Sequence, residues 1–156
     1  RPRILRSILM SLESLYQELI LDHSKRPHGF GLAEADDHTG TSYQRNPICG
    51  DEVTLRVRVS DDGQTIRDVT WEGQGCSISQ ASASMLVDLI DGVPREKAAE
   101  LIDGFREALR SRGTIELDED VYEDAAALSG VSKFSARVKC AMLAWVALEE
   151  SLAQTS

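Results

Sequence analysis

The sequence predicts an α+β domain in which a small antiparallel sheet is covered on one face by helices. Three observations lead there. Val53, Leu55, Val57 and Val59 alternate with Thr54, Arg56 and Arg58, the period of a strand with one buried face. Asp61-Asp62-Gly63 then supplies a hairpin turn, and a second run from Thr65 to Trp71 returns the chain. Segments on either side carry the 3.6-residue apolar stripe of amphipathic helices.

In chain order, residues 11–23 open the pattern. Leu12, Leu15, Tyr16, Leu19 and Ile20 recur as one helical face, with Ser11 as half of a capping signal. The stretch before them, RPRILRSILM, is basic and apolar but far shorter than a membrane span and lacks the core of a signal peptide. It reads as an amphipathic helix end, an expression remnant or an extended arm over residues 1–10. Pro27 and Gly29 break the helix, and residues 28–48 form a long polar connection in which only the stretch around 38–45 could add a third strand. In the second strand of the hairpin Val69 and Trp71 share a face, and Ile66, out of phase with them, marks a bulge.

Gly73 and Gly75 make an elbow into a helix whose stripe is Ile78, Ala81, Met85 and Leu89, with Ser77 or Ser79 placed to cap it. Gly92 stops that helix. Pro94 begins another, striped by Ala98, Leu101, Ile102, Phe105 and Leu109 and ended by Gly113. Thr114 to Asp124 is acidic and reads as a solvated face or loop, since the spacing of a calcium-binding loop is missing. The last helix, about Ala136 to Leu152, is apolar around so much of its girth that it belongs in the core. Trp71 and Trp145 read as core residues.

At 156 residues, with 42% apolar and 28% charged side chains, the chain is sized for a single domain over 1–156. Its 17 basic against 26 acidic residues give a net charge of -9, which argues against a nucleic-acid partner. No membrane association is expected. Three cysteines without a CxxC pair exclude a zinc ribbon and a thioredoxin-like motif, and favour reduced thiols in a cytoplasmic setting.

Those cysteines occupy different elements. Cys49 sits in the loop motif NPICGD, Cys76 at a helix start, Cys140 early in the last helix. The free amides and dipole of a helix N-terminus favour the thiolate at Cys76. With Asp51 two residues after Cys49, the four side chains would fill one tetrahedral zinc site. Such a site is net negative and calls for a cation. Arg137, three residues before Cys140, shares its helical face, whereas Lys139 points roughly 100° away. Spacing alone leaves two readings open, a shared metal ion or three small buried hydrophobes. His23 suits the negative end of its helix, and His28 and His38 read as solvated loop residues. The spacing of Leu15 and Tyr16 suits core packing.

The segments LYQELILDHSKRP, NPICGDEVTLRV, WEGQGCSISQASASML and ARVKCAMLAW resemble the SufU family of iron-sulfur cluster assembly proteins, relatives of the IscU scaffolds, from about Leu15 to the end. The resemblance implies an IscU-like α+β fold and zinc held by Cys49, Asp51, Cys76 and Cys140. It also implies a zinc-dependent sulfurtransferase that takes persulfide sulfur from a SufS-type, PLP-containing cysteine desulfurase and serves downstream iron-sulfur assembly proteins. On that reading Cys49, on a loop bounded by Pro47 and Gly50, is the catalytic sulfur acceptor, freed when a partner side chain takes its place on zinc. A scaffold binding iron or an iron-sulfur cluster on the same ligands is the alternative. Two features resemble SufU rather than IscU: Lys139 stands where IscU-type scaffolds carry a histidine, and a helical insertion over roughly residues 95–125 separates the second and third cysteines.

Overall fold

The computed structural model describes residues 2–48 and 50–155, with side chains from residue 14 onward. Three strands, β1 (Thr39–Asn46), β2 (Asp51–Val59) and β3 (Ile66–Gln74), form an antiparallel sheet in the order β1-β2-β3. Helix α1 (Pro2–Lys25) precedes them. After them come α2 (Ser77–Ile90), α3 (Arg95–Arg110), the short α4 (Glu119–Tyr122), a 3-10 segment (Glu123–Lys133) and α5 (Ser135–Ala153). Among the described residues no helix is long and apolar enough to cross a membrane.

The expected α+β layout holds, and the departures from it have physical causes. The helix expected over 11–23 runs from Pro2, so the N-terminal arm expected over residues 1–10 is helical from residue 2. The third strand is present as β1. Its inward residues are Gly40, Ser42 and Asn46, not a row of hydrophobes, which explains its faint signal. Small and polar side chains are needed there because α5 lies close across it. Glu150 accepts from Ser42 Oγ (2.8 Å) and Gln44 Nε2 (2.6 Å), and Gln154 brackets the backbone of Thr41. The bulge signalled by Ile66 lies where Arg58 pairs with Asp68 and Val59 with Ile66, leaving Arg67 extra on β3 and Ile66 fully buried.

Strand β2 alternates buried and partly exposed residues from end to end, and Asp51 falls in phase with Val53, Leu55, Val57 and Val59. Its carboxylate is therefore directed to the helix-covered face. Over that face the core gathers Trp71, Met85, Leu86, Ile90 and the apolar stripe of α3. Phe105 stacks on Trp145 with ring centroids 3.9 Å apart and planes 5° from parallel. Ser82 Oγ donates to Ala141 O (2.6 Å) and accepts from Trp145 Nε1 (3.0 Å), pinning α2 to α5.

The acidic stretch is less solvated than expected. Leu117 and Tyr122 are buried, and the Tyr122 hydroxyl donates to Leu101 O at 2.9 Å. The 3-10 segment, unforeseen in the sequence, buries Ala125–Leu128 and Val131 under α1, α2 and α5.

A Cβ on Gly40 would stand 1.9 Å from Ser151 O, a backbone atom of α5 that has little room to yield. Gly40→Ala should lower the unfolding free energy by about 1–3 kcal/mol. Urea denaturation measures it; an unchanged midpoint would mean α5 slides freely on β1.

Candidate metal centre

Residues Asn46 and Asp51 face each other as the terminal pair of the β1–β2 ladder, and the link between them is closed by Gly50 N donating to Asn46 O at 2.8 Å. Gly50 has φ +74°, a conformation that suits glycine. Ile48, in the turn, is strongly exposed. Cys49 lies outside the described residues.

The other three predicted ligands come together. Asp51 from β2, Cys76 at the start of α2 and Cys140 in the second turn of α5 each offer one donor atom, and these atoms all lie within 4.8 Å of one another. Asp51 is only 2% exposed and Cys140 4%, while Cys76 is open to solvent. Among the described residues the site thus has a buried floor and one accessible thiol. It opens into a cavity of about 590 Å³ lined also by Gly75, Ile78 and Arg137.

A buried carboxylate needs hydrogen bonds to stay charged. Asp51 Oδ1 accepts the backbone N–H of Cys76 at 3.0 Å, and Oδ2 lies 3.6 Å from Cys76 Sγ. This corrects the expected capping of α2. Cys76 occupies the N-cap position without a side-chain cap, and Ser79 Oγ instead donates to Cys76 O at 3.0 Å. The negative group at the helix start comes from another strand. Gly75 allows that approach, since a Cβ there would meet Asp51 Oδ1 and Ser79 Oγ, each at 2.5 Å.

The donor set suits zinc. Zinc–sulfur bonds of about 2.3 Å and zinc–oxygen bonds of about 2.0–2.2 Å at tetrahedral angles put a sulfur and an oxygen donor roughly 3.6 Å apart. The Cys76–Asp51 separation matches that value. Two thiols and a carboxylate supply three of four positions.

Arg137 lines the cavity beside Cys140, as its spacing predicts, with its guanidinium 5.5 Å from the Phe134 ring centroid. Lys139 is exposed and outside the lining. A second cavity of about 560 Å³ adjoins the first through Ser77, Ile78 and Arg137 and reaches Tyr16, Leu21 and Phe134. Tyr16 donates to Glu119, and its hydroxyl is pushed up to about 12 by burial first and by that bond next. Leu15 is half exposed, Tyr16 partly buried. Of the histidines, His23 is buried rather than merely near a helix end, His28 bonds Asp88, and His38 stands 3.5 Å from Asp61.

Residues 15–141 match the family described as NifU-like N terminal domain. The chain is 39% identical over 145 residues to the zinc-dependent sulfurtransferase SufU of Bacillus subtilis, covering 92% of this chain and 93% of the relative. It is 38% identical over 148 residues to the iron-sulfur cluster assembly scaffold protein IscU of Streptococcus pyogenes, covering 95% and 89%. Among solved structures it is similar to a candidate iron-sulfur cluster assembly scaffold for the SUF system of Fervidobacterium islandicum, with TM-score 0.72, 34% identity and coverage of 86% and 94%.

A methyl group at Gly75 would crowd the carboxylate out of its bond to Cys76. Gly75→Ala should weaken zinc binding about tenfold or more, with secondary structure unchanged. Competition against a chromophoric chelator measures it, and wild-type affinity would mean that Asp51 does not have to sit where it does.

Proposed function

The chain belongs to the NifU-like N-terminal domain family, and from that footing we propose that it is a zinc-dependent sulfurtransferase of iron-sulfur cluster assembly. The observation that carries the reading is the meeting of two thiols and a buried carboxylate, drawn from β2, α2 and α5, within 4.8 Å. Two partners are proposed: a SufS-type cysteine desulfurase as sulfur donor, and downstream assembly proteins as recipients. A cytoplasmic setting, where thiols stay reduced, belongs to the same reading.

Asp51, Cys76 and Cys140 would hold the zinc, with Cys49 as the fourth ligand and the sulfur acceptor. Zinc, when bound, keeps its cysteine ligands deprotonated at neutral pH. Asp51 is tethered through its bond to Cys76 N, and Cys140 is set in a packed helix. In the sequence Cys49 stands beside Gly50 and two residues after Pro47, residue types that favour turns over regular structure. In the transfer the Cys49 thiolate attacks the outer sulfur of the donor's persulfide. The sulfur–sulfur bond of that persulfide breaks, the donor cysteine leaves as thiolate with the electron pair, and Cys49 becomes the persulfide.

A second reading, a scaffold on which iron or a cluster is bound by the same ligands, draws support from the relatives named IscU scaffold. Lys139 beside Cys140 argues for transfer over scaffolding, since an ammonium is no metal ligand.

Cys49→Ala should leave the protein folded and return alanine release by the desulfurase to its rate without this chain. Label from persulfide sulfur should no longer be retained. A Cys49→Ala variant that still accepts sulfur would overturn the assignment, and brown protein with stoichiometric iron and sulfide would favour the scaffold.

A further inference from the structure

His23, His28 and Asp88 form a second group of metal-binding side chains, built from other residues than the first. One ring nitrogen of each histidine and a carboxylate oxygen of Asp88 all lie within 4.8 Å of one another, and the two rings stand 4.8 Å apart between centroids. His23 is buried at the end of α1, whereas His28 and Asp88 are about half exposed.

Hydrogen bonding prepares His23 as a ligand. Ser84 Oγ accepts the backbone N–H of His28 at 2.8 Å and, with the neutral His23 ring protonated at Nε2, donates its hydrogen to His23 Nδ1 at 2.7 Å. His23 Nε2 then carries the proton of the neutral ring and donates it to Asp124 Oδ2 at 2.9 Å. The reverse tautomer would set the Nε2 lone pair against a carboxylate. A carboxylate behind the far nitrogen of a histidine fixes the ring and raises the basicity of the near one, the support found behind metal-ligating histidines. The lone pair of Nδ1 is on the side of α2, where Ser84 and Asp88, four residues apart, share one face. His28 Nδ1 already lies 2.7 Å from Asp88 Oδ2. A cation can replace the proton shared by that pair and the hydroxyl hydrogen at His23.

We propose that His23, His28 and Asp88 form a second binding site, for a divalent first-row transition cation. Two imidazoles and one carboxylate, with two of the three side chains half exposed, make an open site completed by water. That donor set suits iron(II), cobalt(II) and zinc. Bound there, the ion clamps the end of α1 and the turn residue His28 to the last turn of α2. The site stands or falls independently of sulfur transfer.

Co2+ added to the zinc-loaded full chain tests it. The site predicts one further Co2+ per chain with visible ligand-field bands and no thiolate-to-cobalt charge-transfer band. That band would instead mark exchange at the cysteines. His28→Ala and Asp88→Asn, both at half-exposed positions, should each abolish the extra ion while sulfur acceptance stays at the wild-type level. Asp124→Asn should weaken it about tenfold. Absence of ligand-field absorption apart from the charge-transfer band, or its persistence at full strength in His28→Ala, overturns the proposal.

Discussion

The hydrogen bond from the backbone N–H of Cys76 to the buried carboxylate of Asp51 joins the first residue of β2 to the start of α2. Everything at the candidate centre depends on that joint. A carboxylate only 2% exposed is costly to leave unpaired, so the strand end and the helix start hold each other in place. Gly75 is the steric condition for it, because a larger residue would occupy the space of the carboxylate itself. The bond fixes one oxygen and leaves the other facing the thiol.

Cys140 reaches the same point through packing. Helix α5 crosses β1 and β2 closely enough that Gly40 has no space for a side chain against Ser151, and polar side chains of α5 bond the edge strand. Ser82 links α2 to α5 through Ala141 and Trp145, the first of these being the residue next to Cys140. Stacking of Trp145 on Phe105 ties helix α3 into the same assembly. The thiols of α2 and α5 are thereby held at a set separation by contacts deeper in the core.

The acidic segment has structural tasks. Glu119 receives the Tyr16 hydroxyl and Asp124 receives His23, so two carboxylates from the stretch between α3 and α5 anchor α1 across the molecule. Its charge pattern is that of an exposed loop, and half of that reading holds. What the pattern conceals is that Leu117 and Tyr122 turn inward between the acids.

Much of the fold and half of the site were legible in the residues. Period two from Val53 to Val59 gives β2, and period 3.6 gives α2, α3 and α5. The pairing of β1, the 3-10 segment and the capping of α2 were not legible. Each is decided by partners far away in sequence: Gly40 by Ser151, Ala125–Leu128 by the helices they pack beneath, Cys76 N by Asp51. The sequence by itself determined the periodic elements and marked Cys49, Asp51, Cys76 and Cys140 as candidate ligands, because those follow from backbone period and local chemistry. Only the tertiary structure decided that Asp51, Cys76 and Cys140 share one point, and that His23 meets His28 and Asp88, because convergence depends on how helices pack on a sheet and no local pattern encodes it.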